Sequence, residues 1–238
     1  MFKRITAAVL ATMLVCSMSL PAAFAYPIVY GMADPNEQTG APGNTPAAQG
    51  EAFQDIGTHW AKDYINALAS MGIINGTSET TFSPNQTMTR GMFITVLGRM
   101  SRVSINDMTE PVSKLPFSDV KPNAYYAPYI AWALNNGIVS GVSENTFAPD
   151  QEITRQEMCV MMFNLVTFAG LAVEPGYKPT SFNDSNLISG WAVQSVGVLS
   201  AVGLIEGYNG NFNPRGLSTR AEAATVIAKF IYSIGTIE

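Results

Sequence analysis

Residues 153–158 read ITRQEM and residues 218–223 read STRAEA, and each stretch stands directly before a run of apolar side chains. An earlier segment, MTRGMF at 88–93, carries the same Thr-Arg pair. The three arginines are Arg90, Arg155 and Arg220, which gives a step of 65 residues from 90 to 155 and again from 155 to 220. A step this regular predicts tandem structural repeats.

Each repeat carries the same elements in the same order. Phe-x-Asp comes first, followed by an aromatic residue, an amphipathic stretch, and a glycine that precedes an apolar pair and a second glycine. A polar loop with Phe-x-Pro then leads to Thr-Arg and a second apolar stripe. The predicted apolar positions of the first helices are Ile65, Leu68, Ile130, Ala133, Val196 and Leu199, and those of the second helices are Phe93, Val96, Leu97, Met100, Met158, Met161, Met162, Leu165, Ala223, Val226, Ile227 and Phe230. The pattern predicts helix–loop–helix units in which the first glycine caps the first helix. The aromatics are Trp60, Tyr125 and Trp191; the first glycines are Gly72, Gly137 and Gly203, and the second are Gly76, Gly141 and Gly207.

The repeats predict an all-α fold. Each unit is too small to bury its apolar faces alone, so the three should share one core with little sheet. We expect repeat 1 over residues 53–103, repeat 2 over 117–171 and repeat 3 over 182–235. Residues 26–52, rich in Pro, Gly and Ala, predict a flexible linker.

The N-terminal 25 residues have the pattern of a secretory signal peptide. Lys3 and Arg4 precede an apolar run over residues 5–20, and Ala23 and Ala25 are small residues at a cleavage site. The apolar run is short for a membrane anchor, which is the alternative interpretation. We therefore expect cleavage after Ala25, secretion to the cell surface, and no membrane span in the mature chain.

Charge and cysteine usage exclude several function classes. The chain has a net charge of −5, and removing Lys3 and Arg4 with the leader lowers it to about −7, which disfavours nucleic acid and anionic membranes as partners. Cys159, the one cysteine left after cleavage, lies among apolar residues and is expected to be buried and inert. His59 is the only histidine. We predict no catalytic residue, no metal and no cofactor.

The Thr-Arg motif also marks a helix start. Thr154 with Glu157, and Thr219 with Glu222, form the Thr-x-x-Glu pattern of a capping box, whereas Met92 leaves the box of repeat 1 half absent. Arginine in the first helical turn opposes the helix dipole and requires an explanation. One explanation is pairing with a carboxylate, for which Asp55, Asp119 and Asp184 are candidates. The other is capture of an anion by a guanidinium beside free backbone amides.

These motifs, repeated three times, resemble the surface-layer homology (SLH) module of bacterial cell-envelope proteins. The resemblance covers roughly residues 53–235. It implies a pseudo-threefold bundle with three helical prongs, whose grooves bind secondary cell-wall polysaccharide that often carries a pyruvate ketal on N-acetylmannosamine.

The resemblance also implies roles for particular residues. The arginines would pair with the ligand carboxylate, the second glycines would let the backbone approach the sugar, and the aromatics would line the grooves. Packing between prongs is an alternative role for the aromatics, and turn formation for the glycines. Because repeat 1 lacks the capping glutamate and the loop of repeat 3 is one residue shorter, we expect unequal sites, with Arg155 and Arg220 favoured over Arg90.

Three function classes remain at this point. The first is a binding module for anionic, pyruvylated wall polysaccharide, acting alone or with a separate envelope protein. The second is a surface-layer subunit that assembles into a lattice. The third, a wall-active hydrolase using paired carboxylates, is less favoured because the glutamates are explained as helix caps.

Overall fold

The computed structural model describes residues 53–103, 112–171 and 180–234. The predicted signal peptide, the predicted linker, parts of both spacers and the last four residues lie outside this described part of the chain.

The described residues are helical and contain no β-strand longer than an isolated bridge. Each repeat contributes one short and one long helix, so the predicted all-α class and helix–loop–helix order are confirmed. In chain order the helices are α1 (Lys62–Ser70), α2 (Arg90–Met100), α3 (Ala127–Asn135), α4 (Arg155–Phe168), α5 (Val193–Ala201) and α6 (Arg220–Ile234). None of them is long and apolar enough to span a bilayer.

The helix boundaries follow from the predicted caps. Each short helix is followed by a glycine in the left-handed region, with φ of 69° at Gly72, 67° at Gly137 and 77° at Gly203. A residue with a Cβ is strained in this conformation, which is why glycine stands at all three positions. The long helices begin directly after Thr89, Thr154 and Thr219, the threonines of the Thr-Arg pairs.

The apolar stripes of both helices form one core, as predicted. The first-helix positions are all buried, and the second-helix stripes are buried except for the partly exposed Met100. The methionines of α4 fill this core, and Cys159 is buried among them without a disulfide partner. The core residues at predicted positions are Ile65, Leu68, Ile130, Ala133, Val196, Leu199, Phe93, Val96, Leu97, Met158, Met161, Met162, Leu165, Ala223, Val226, Ile227 and Phe230.

Each long helix packs against the short helix of a different repeat. The helix α2 contacts α3, α4 contacts α5, and α6 returns to contact α1. The last repeat therefore packs against the first, and the main helix–helix contacts of the core join different repeats. This arrangement explains how units of about 55 residues, each too small for a core of its own, form one stable body.

Three backbone hydrogen bonds join the segments that precede the long helices. The amide of Met88 donates to the carbonyl of Ser218 at 2.9 Å, that of Ser218 to Ile153 at 2.9 Å, and that of Ile153 to Met88 at 2.9 Å. The three residues occupy equivalent positions in the three repeats, immediately before Thr89, Thr154 and Thr219. Each repeat thus donates to one neighbour and accepts from the other, which fixes where the three long helices begin.

Candidate functional site: three arginine junctions between repeats

The aspartate of each Phe-x-Asp motif shapes the loop that follows in its own repeat. In repeat 1, Asp55 accepts the amides of Phe82 at 2.8 Å and Ser83 at 2.7 Å, and Ser83 adopts a left-handed φ of 60°. Asp119 and Asp184 hold the loops of repeats 2 and 3 through the same two bonds. The sequence gives these aspartates as candidate partners of the arginines, and each does attract the arginine of a neighbouring repeat: Asp119 attracts Arg90, Asp184 attracts Arg155, and Asp55 attracts Arg220. The attraction is not a direct hydrogen bond, because the aspartate oxygens accept loop amides.

The amide bonds also affect the acidity of the aspartate in repeat 3. Burial acts to raise the pKa of Asp184, but the amides of Phe212 and Asn213 hold that pKa below its ordinary value. The charged carboxylate is therefore the form that the loop stabilises.

Each loop receives an arginine from another repeat. Nε of Arg90 donates to the carbonyl of Phe147 at 3.0 Å, Nε of Arg155 to Phe212 at 2.8 Å, and Nε of Arg220 to Phe82 at 2.9 Å. We call these contacts the 1–2 junction (Arg90 in repeat 2), the 2–3 junction (Arg155 in repeat 3) and the 3–1 junction (Arg220 in repeat 1). Each guanidinium also lies over the ring of the same phenylalanine, 4.4–5.1 Å from its centroid.

A second carbonyl binds each guanidinium just before the second glycine. Nη2 donates to Ser140 at 3.4 Å in the 1–2 junction, to Glu206 at 2.9 Å in the 2–3 junction and to Asn75 at 2.6 Å in the 3–1 junction. The arginines therefore join two loop segments of the next repeat. This is a structural role that every junction shares.

The second glycines have a packing reason of their own. A Cβ on Gly76 would lie 2.5 Å from Cε1 of Phe53, and the corresponding distances are 2.6 Å from Gly141 to Phe117 and 2.8 Å from Gly207 to Phe182. Contacts this short do not occur in folded proteins, so the Phe-x-Asp ring of each repeat requires glycine there. Approach of a ligand to these glycines stays a prediction.

A glutamate completes two of the three junctions. Nη1 of Arg90 pairs with Oε1 of Glu157 at 3.3 Å, and Nη1 of Arg155 pairs with Oε1 of Glu222 at 3.1 Å. In repeat 1 the equivalent position is Met92, which has no charge. Within the described residues, Nη1 of Arg220 has no carboxylate partner.

The backbone amides at the helix starts are not free, which corrects the expectation of an anion site formed with them. The amide of Arg90 donates to the carbonyl of Gln151 at 2.9 Å, that of Arg155 to Gly216 at 2.8 Å, and that of Arg220 to Gln86 at 2.9 Å. The next amide along each helix also donates to a carbonyl of the neighbouring repeat. Any anion at a junction must therefore be bound by side chains.

Burial affects the charge of two of the guanidinia. Arg90 is 5% exposed and Arg220 is 6% exposed. Burial lowers the pKa of both; at Arg90 the neighbouring Glu157 carboxylate acts in the opposite direction. At Arg220, burial lowers the pKa to about 10, while the Tyr125 phenol and the Asp55 carboxylate act to raise that pKa. The 3–1 junction thus contains a buried cation whose charge is the least compensated by hydrogen-bonded carboxylates.

The three predicted groove aromatics differ in exposure. Trp60 is 62% exposed and Trp191 is 59% exposed, so neither ring is buried by packing between repeats. Tyr125 is half-buried and packs edge-on against Tyr126, with ring centroids 5.0 Å apart. Burial raises the pKa of Tyr125, followed by the effects of Tyr126 and Asp150, while the nearby cations Arg99 and Arg220 act to lower it.

The capping boxes were predicted correctly, but their second role was missed. Oε2 of Glu157 accepts the amide of Thr154 at 2.9 Å, and Oε2 of Glu222 accepts that of Thr219 at 2.9 Å. In repeat 1, only the amide of Met92 bonds Thr89, at 3.2 Å, so the box is half formed as expected. The sequence contains a signal for this second role, which is pairing with an arginine. Glu157 follows Arg90 by 67 residues, and Glu222 follows Arg155 by the same 67 residues.

A family model described as the S-layer homology domain matches residues 52–92, 116–159 and 181–224, which together exceed half of the chain. Among curated proteins, the chain is 36% identical over 188 residues to an amylopullulanase of Thermoanaerobacterium thermosulfurigenes, covering 79% of this chain and 10% of that protein. It is 36% identical to the exoglucanase XynX of Acetivibrio thermocellus, over 74% of this chain and 16% of that protein. It is 28% identical to the S-layer protein EA1 of Bacillus anthracis, over 76% of this chain and 20% of that protein. The chain thus spans a fifth or less of the length of these relatives.

Proposed function

Because this chain belongs to the S-layer homology family, we propose that it attaches non-covalently to an anionic, pyruvylated secondary cell-wall polysaccharide. Grooves between neighbouring repeats would bind the polymer and hold the secreted protein at the cell surface. The recurrence of a guanidinium at each of the three junctions is the observation that carries this proposal. A carboxylate on the polymer supplies the charge that such a cation binds most strongly.

We propose the pseudo-threefold bundle with three prongs as the setting for these grooves. Two observations support it: the cyclic packing of α2 on α3, α4 on α5 and α6 on α1, and the three reciprocal backbone bonds among Met88, Ile153 and Ser218. Each junction then has the same parts in the same order. Differences between grooves arise from side chains such as Met92 and Tyr125.

The junctions differ in whether a glutamate of the protein pairs with the arginine and in how exposed that pair is. In the described part of the chain, Arg220 has no paired carboxylate that a ligand would have to displace, whereas the Arg155 and Glu222 side chains form a pair that is 13% and 31% exposed. The Arg90 and Glu157 side chains form a pair that is only 6% and 18% exposed. This order supports the sequence-based ranking in which Arg155 and Arg220 bind ligand in preference to Arg90.

The exposed aromatic rings suit the sugar part of the ligand. Trp60 and Trp191 offer flat apolar surfaces to solvent, on which the apolar face of a pyranose can stack. Tyr125 offers a ring edge and a hydroxyl instead. Substituting Trp191 by Ala should weaken polymer binding with little change in stability, since its ring is mostly exposed.

Binding of the protein to purified wall sacculi tests the proposal. The protein should co-sediment with intact sacculi and lose most of that binding after the pyruvate ketals are removed by mild acid. Sacculi treated identically and then re-pyruvylated enzymatically serve as the matched control. Equal binding to sacculi before and after depyruvylation would contradict the pyruvate-dependent form of the proposal.

A surface-layer subunit is the second candidate. The similarity to S-layer protein EA1 favours it, although this chain spans only 20% of that protein. Ordered sheets formed by the purified protein, seen by negative-stain electron microscopy, would support this alternative. A hydrolase is less favoured because the similarity to amylopullulanase and XynX covers 10–16% of those enzymes, and Glu157 and Glu222 are committed to helix caps and arginine pairs.

A further inference from the structure

The three pairs of packed helices share one apolar pattern but differ in side-chain size at two equivalent positions. On each long helix these positions are the residue after the arginine and the residue seven places later. On each short helix they are the residue just before the helix and its third residue. The residues are Gly91 and Gly98 of α2 with Tyr126 and Tyr129 of α3, Gln156 and Phe163 of α4 with Ala192 and Ser195 of α5, and Ala221 and Ala228 of α6 with Ala61 and Tyr64 of α1.

The α2–α3 pair places two tyrosines of the short helix against two glycines of the long helix. Both tyrosine side chains are buried. A Cβ on Gly91 would lie 2.9 Å from Cδ1 of Tyr126, and a Cβ on Gly98 would overlap the ring of Tyr129. Because no methyl group fits at either position without displacing a ring, α3 requires glycine at both positions of the long helix that covers it.

The α4–α5 pair has the opposite distribution of size. Phe163 of α4 packs against the core, and the equivalent position of α5 is the small, buried Ser195. Gln156 is also buried, and its Oε1 accepts the amide of Ser189, in the segment that leads into α5, at 3.0 Å. The large side chains of this pair therefore belong to the long helix, and the small ones belong to the short helix.

The α6–α1 pair combines two small residues with one large residue. Ala221 and Ala228 of α6 are buried. The ring of Tyr64 lies 6.4 Å from the ring of Tyr232, which follows Ala228 by about one helical turn. The tyrosine of α1 therefore packs on the same face of α6 as Ala228.

These sizes disfavour the incorrect pairs of helices. With α4 on α3, which would join the two helices of repeat 2, Phe163 would face Tyr129, and with α4 on α1 it would face Tyr64. With α6 on α3, Ala228 would carry a Cβ into the space that the Tyr129 ring fills. With α2 on α5, two glycines would face Ser195 and its neighbours and leave a cavity.

We propose that Gly98 with Tyr129, and Phe163 with Ser195, determine which repeats pack together. Repeats with interchangeable interfaces misassemble, and a penalty on incorrect pairs gives a single arrangement. The inference concerns the order of the repeats and holds with or without a polymer. It also bears on the junctions, because each arginine enters the loop of the repeat on which its helix packs. The size pattern thus determines which loop receives which arginine.

Melting temperatures of full-chain variants test the α2–α3 pair. Gly98→Phe should lower the melting temperature by about 5–10 °C, because it places a second large side chain against Tyr129. Adding Tyr129→Ser gives this pair the sizes of the α4–α5 pair and should restore at least half of the loss. The matched control adds Tyr64→Ser instead, the equivalent change in repeat 1, and should restore none of it.

A milder substitution covers the case in which Gly98→Phe does not fold. The decrease in melting temperature caused by Gly98→Ala should become at least twofold smaller in a Tyr129→Ser background. In a Tyr64→Ser background the decrease should be unchanged. Equal decreases in the two backgrounds would overturn the inference, because the size of residue 98 would then be independent of the tyrosine that we assign to it.

Making the two helix pairs alike tests the order of the repeats itself. Phe163→Gly with Ser195→Tyr gives α4 and α5 the glycine–tyrosine pair of α2 and α3, so the two long helices become interchangeable at this position. After refolding from urea at high protein concentration, this variant should form dimers and larger species, because long helices also pair with short helices of a second copy. The unsubstituted chain should return to its starting mass at low and at high concentration.

Size-exclusion chromatography with light scattering measures these masses, and circular dichroism confirms refolding. If the variant does not regain its helical signal, Gly98→Phe with Tyr129→Ser replaces it, since that variant makes both pairs alike in the opposite sense. Larger species that form only from the variant with two alike pairs would support the inference. A variant that refolds to the mass of the unsubstituted chain at both concentrations would overturn it, because the linkage of the repeats along the chain would then be sufficient to set their order.

Discussion

Replacing Glu157 by Met tests whether the glutamates hold the junctions together. The substitution gives repeat 2 the residue that repeat 1 has naturally. It removes the bond from the Thr154 amide, 2.9 Å long, and the ion pair with Arg90, 3.3 Å long, and leaves a guanidinium that is nearly fully buried. The change keeps the size of the side chain, so its effect reports on charge and hydrogen bonding.

The expected loss in the free energy of unfolding follows from these two contacts. Breaking one side of a buried ion pair costs about 3–5 kcal/mol, and we take the lower end because this pair is long. The lost half of the capping box adds about 0.5–1 kcal/mol, and the apolar contacts of Met return roughly 1 kcal/mol. The sum is a loss of about 3 kcal/mol.

Glu222→Met should cost less, because its pair with Arg155 is more exposed to water. We expect a loss of about 2 kcal/mol, from one charge-assisted hydrogen bond and the same half cap. Glu144→Met, at an exposed loop position, is the matched control and should change stability by less than about 0.5 kcal/mol.

Urea unfolding followed by circular dichroism measures all three variants. We expect the largest loss for Glu157→Met, a smaller loss for Glu222→Met and the smallest for Glu144→Met. A loss for Glu157→Met no greater than that of the control would refute the structural role assigned to the Arg90–Glu157 pair.

Three further predictions concern the core and the loops. Gly141→Ala should lower the free energy of unfolding by about 1–3 kcal/mol, since its Cβ would lie 2.6 Å from Phe117. Gly57→Ala, with open space around the glycine, should leave the free energy of unfolding unchanged in the same urea titration. Equal effects of the two substitutions would show that packing is not the cause. Ser218→Ala should raise the melting temperature, because the buried Ser218 hydroxyl has no hydrogen-bond partner in the described residues. Removing it should raise the free energy of unfolding by about 1 kcal/mol. A lower melting temperature would show that the hydroxyl does have a hydrogen-bond partner in solution. Cys159 should resist iodoacetamide at pH 8.5 until the protein unfolds, because burial raises the thiol pKa from 9.0 to about 12. Since the unfolded chain releases this proton at lower pH than the folded chain, the free energy of unfolding should also fall between pH 9 and pH 12. Rapid alkylation of the native protein, detected by peptide mass spectrometry, would contradict this prediction.

Local features of the fold were predictable because they depend on local interactions. A glycine at the end of a short helix, as at Gly72, signals its own left-handed conformation, and Thr154 with Glu157 signals a helix start within four residues. The apolar stripe of Met158, Met161, Met162 and Leu165 indicates a buried helix face without knowledge of what covers it. These signals gave the helices and the core positions, and the structure confirms them.

The partners of the arginines could not be predicted in the same way. They lie 50–67 residues away at the first two junctions and 138–145 residues away at the third. Whether a long helix packs on its own repeat or on the next determines these partners, and both arrangements fit the same apolar pattern. The sequence therefore offers the recurring aspartates as candidates, whereas the structure pairs Arg90 with Glu157 and Arg155 with Glu222.

The expectation of free amides at the helix starts failed for a related reason. An isolated helix has unpaired amides in its first turn, but here the carbonyls of the neighbouring repeat occupy them, as with Arg90 and Gln151. Departures from the repeat pattern were more informative than the pattern itself. Met92, which the sequence shows as an incomplete cap, also marks the junction at which no carboxylate among residues 53–103, 112–171 and 180–234 bonds the arginine.

A crystal structure with N-acetylmannosamine carrying a pyruvate ketal tests the central claim most directly. We expect a ketal carboxylate within hydrogen-bond distance of the guanidinium of Arg220 or Arg155, with the Arg90–Glu157 pair unchanged. A sugar bound with its carboxylate away from all three arginines, or no bound sugar in a protein that still binds sacculi, would contradict it.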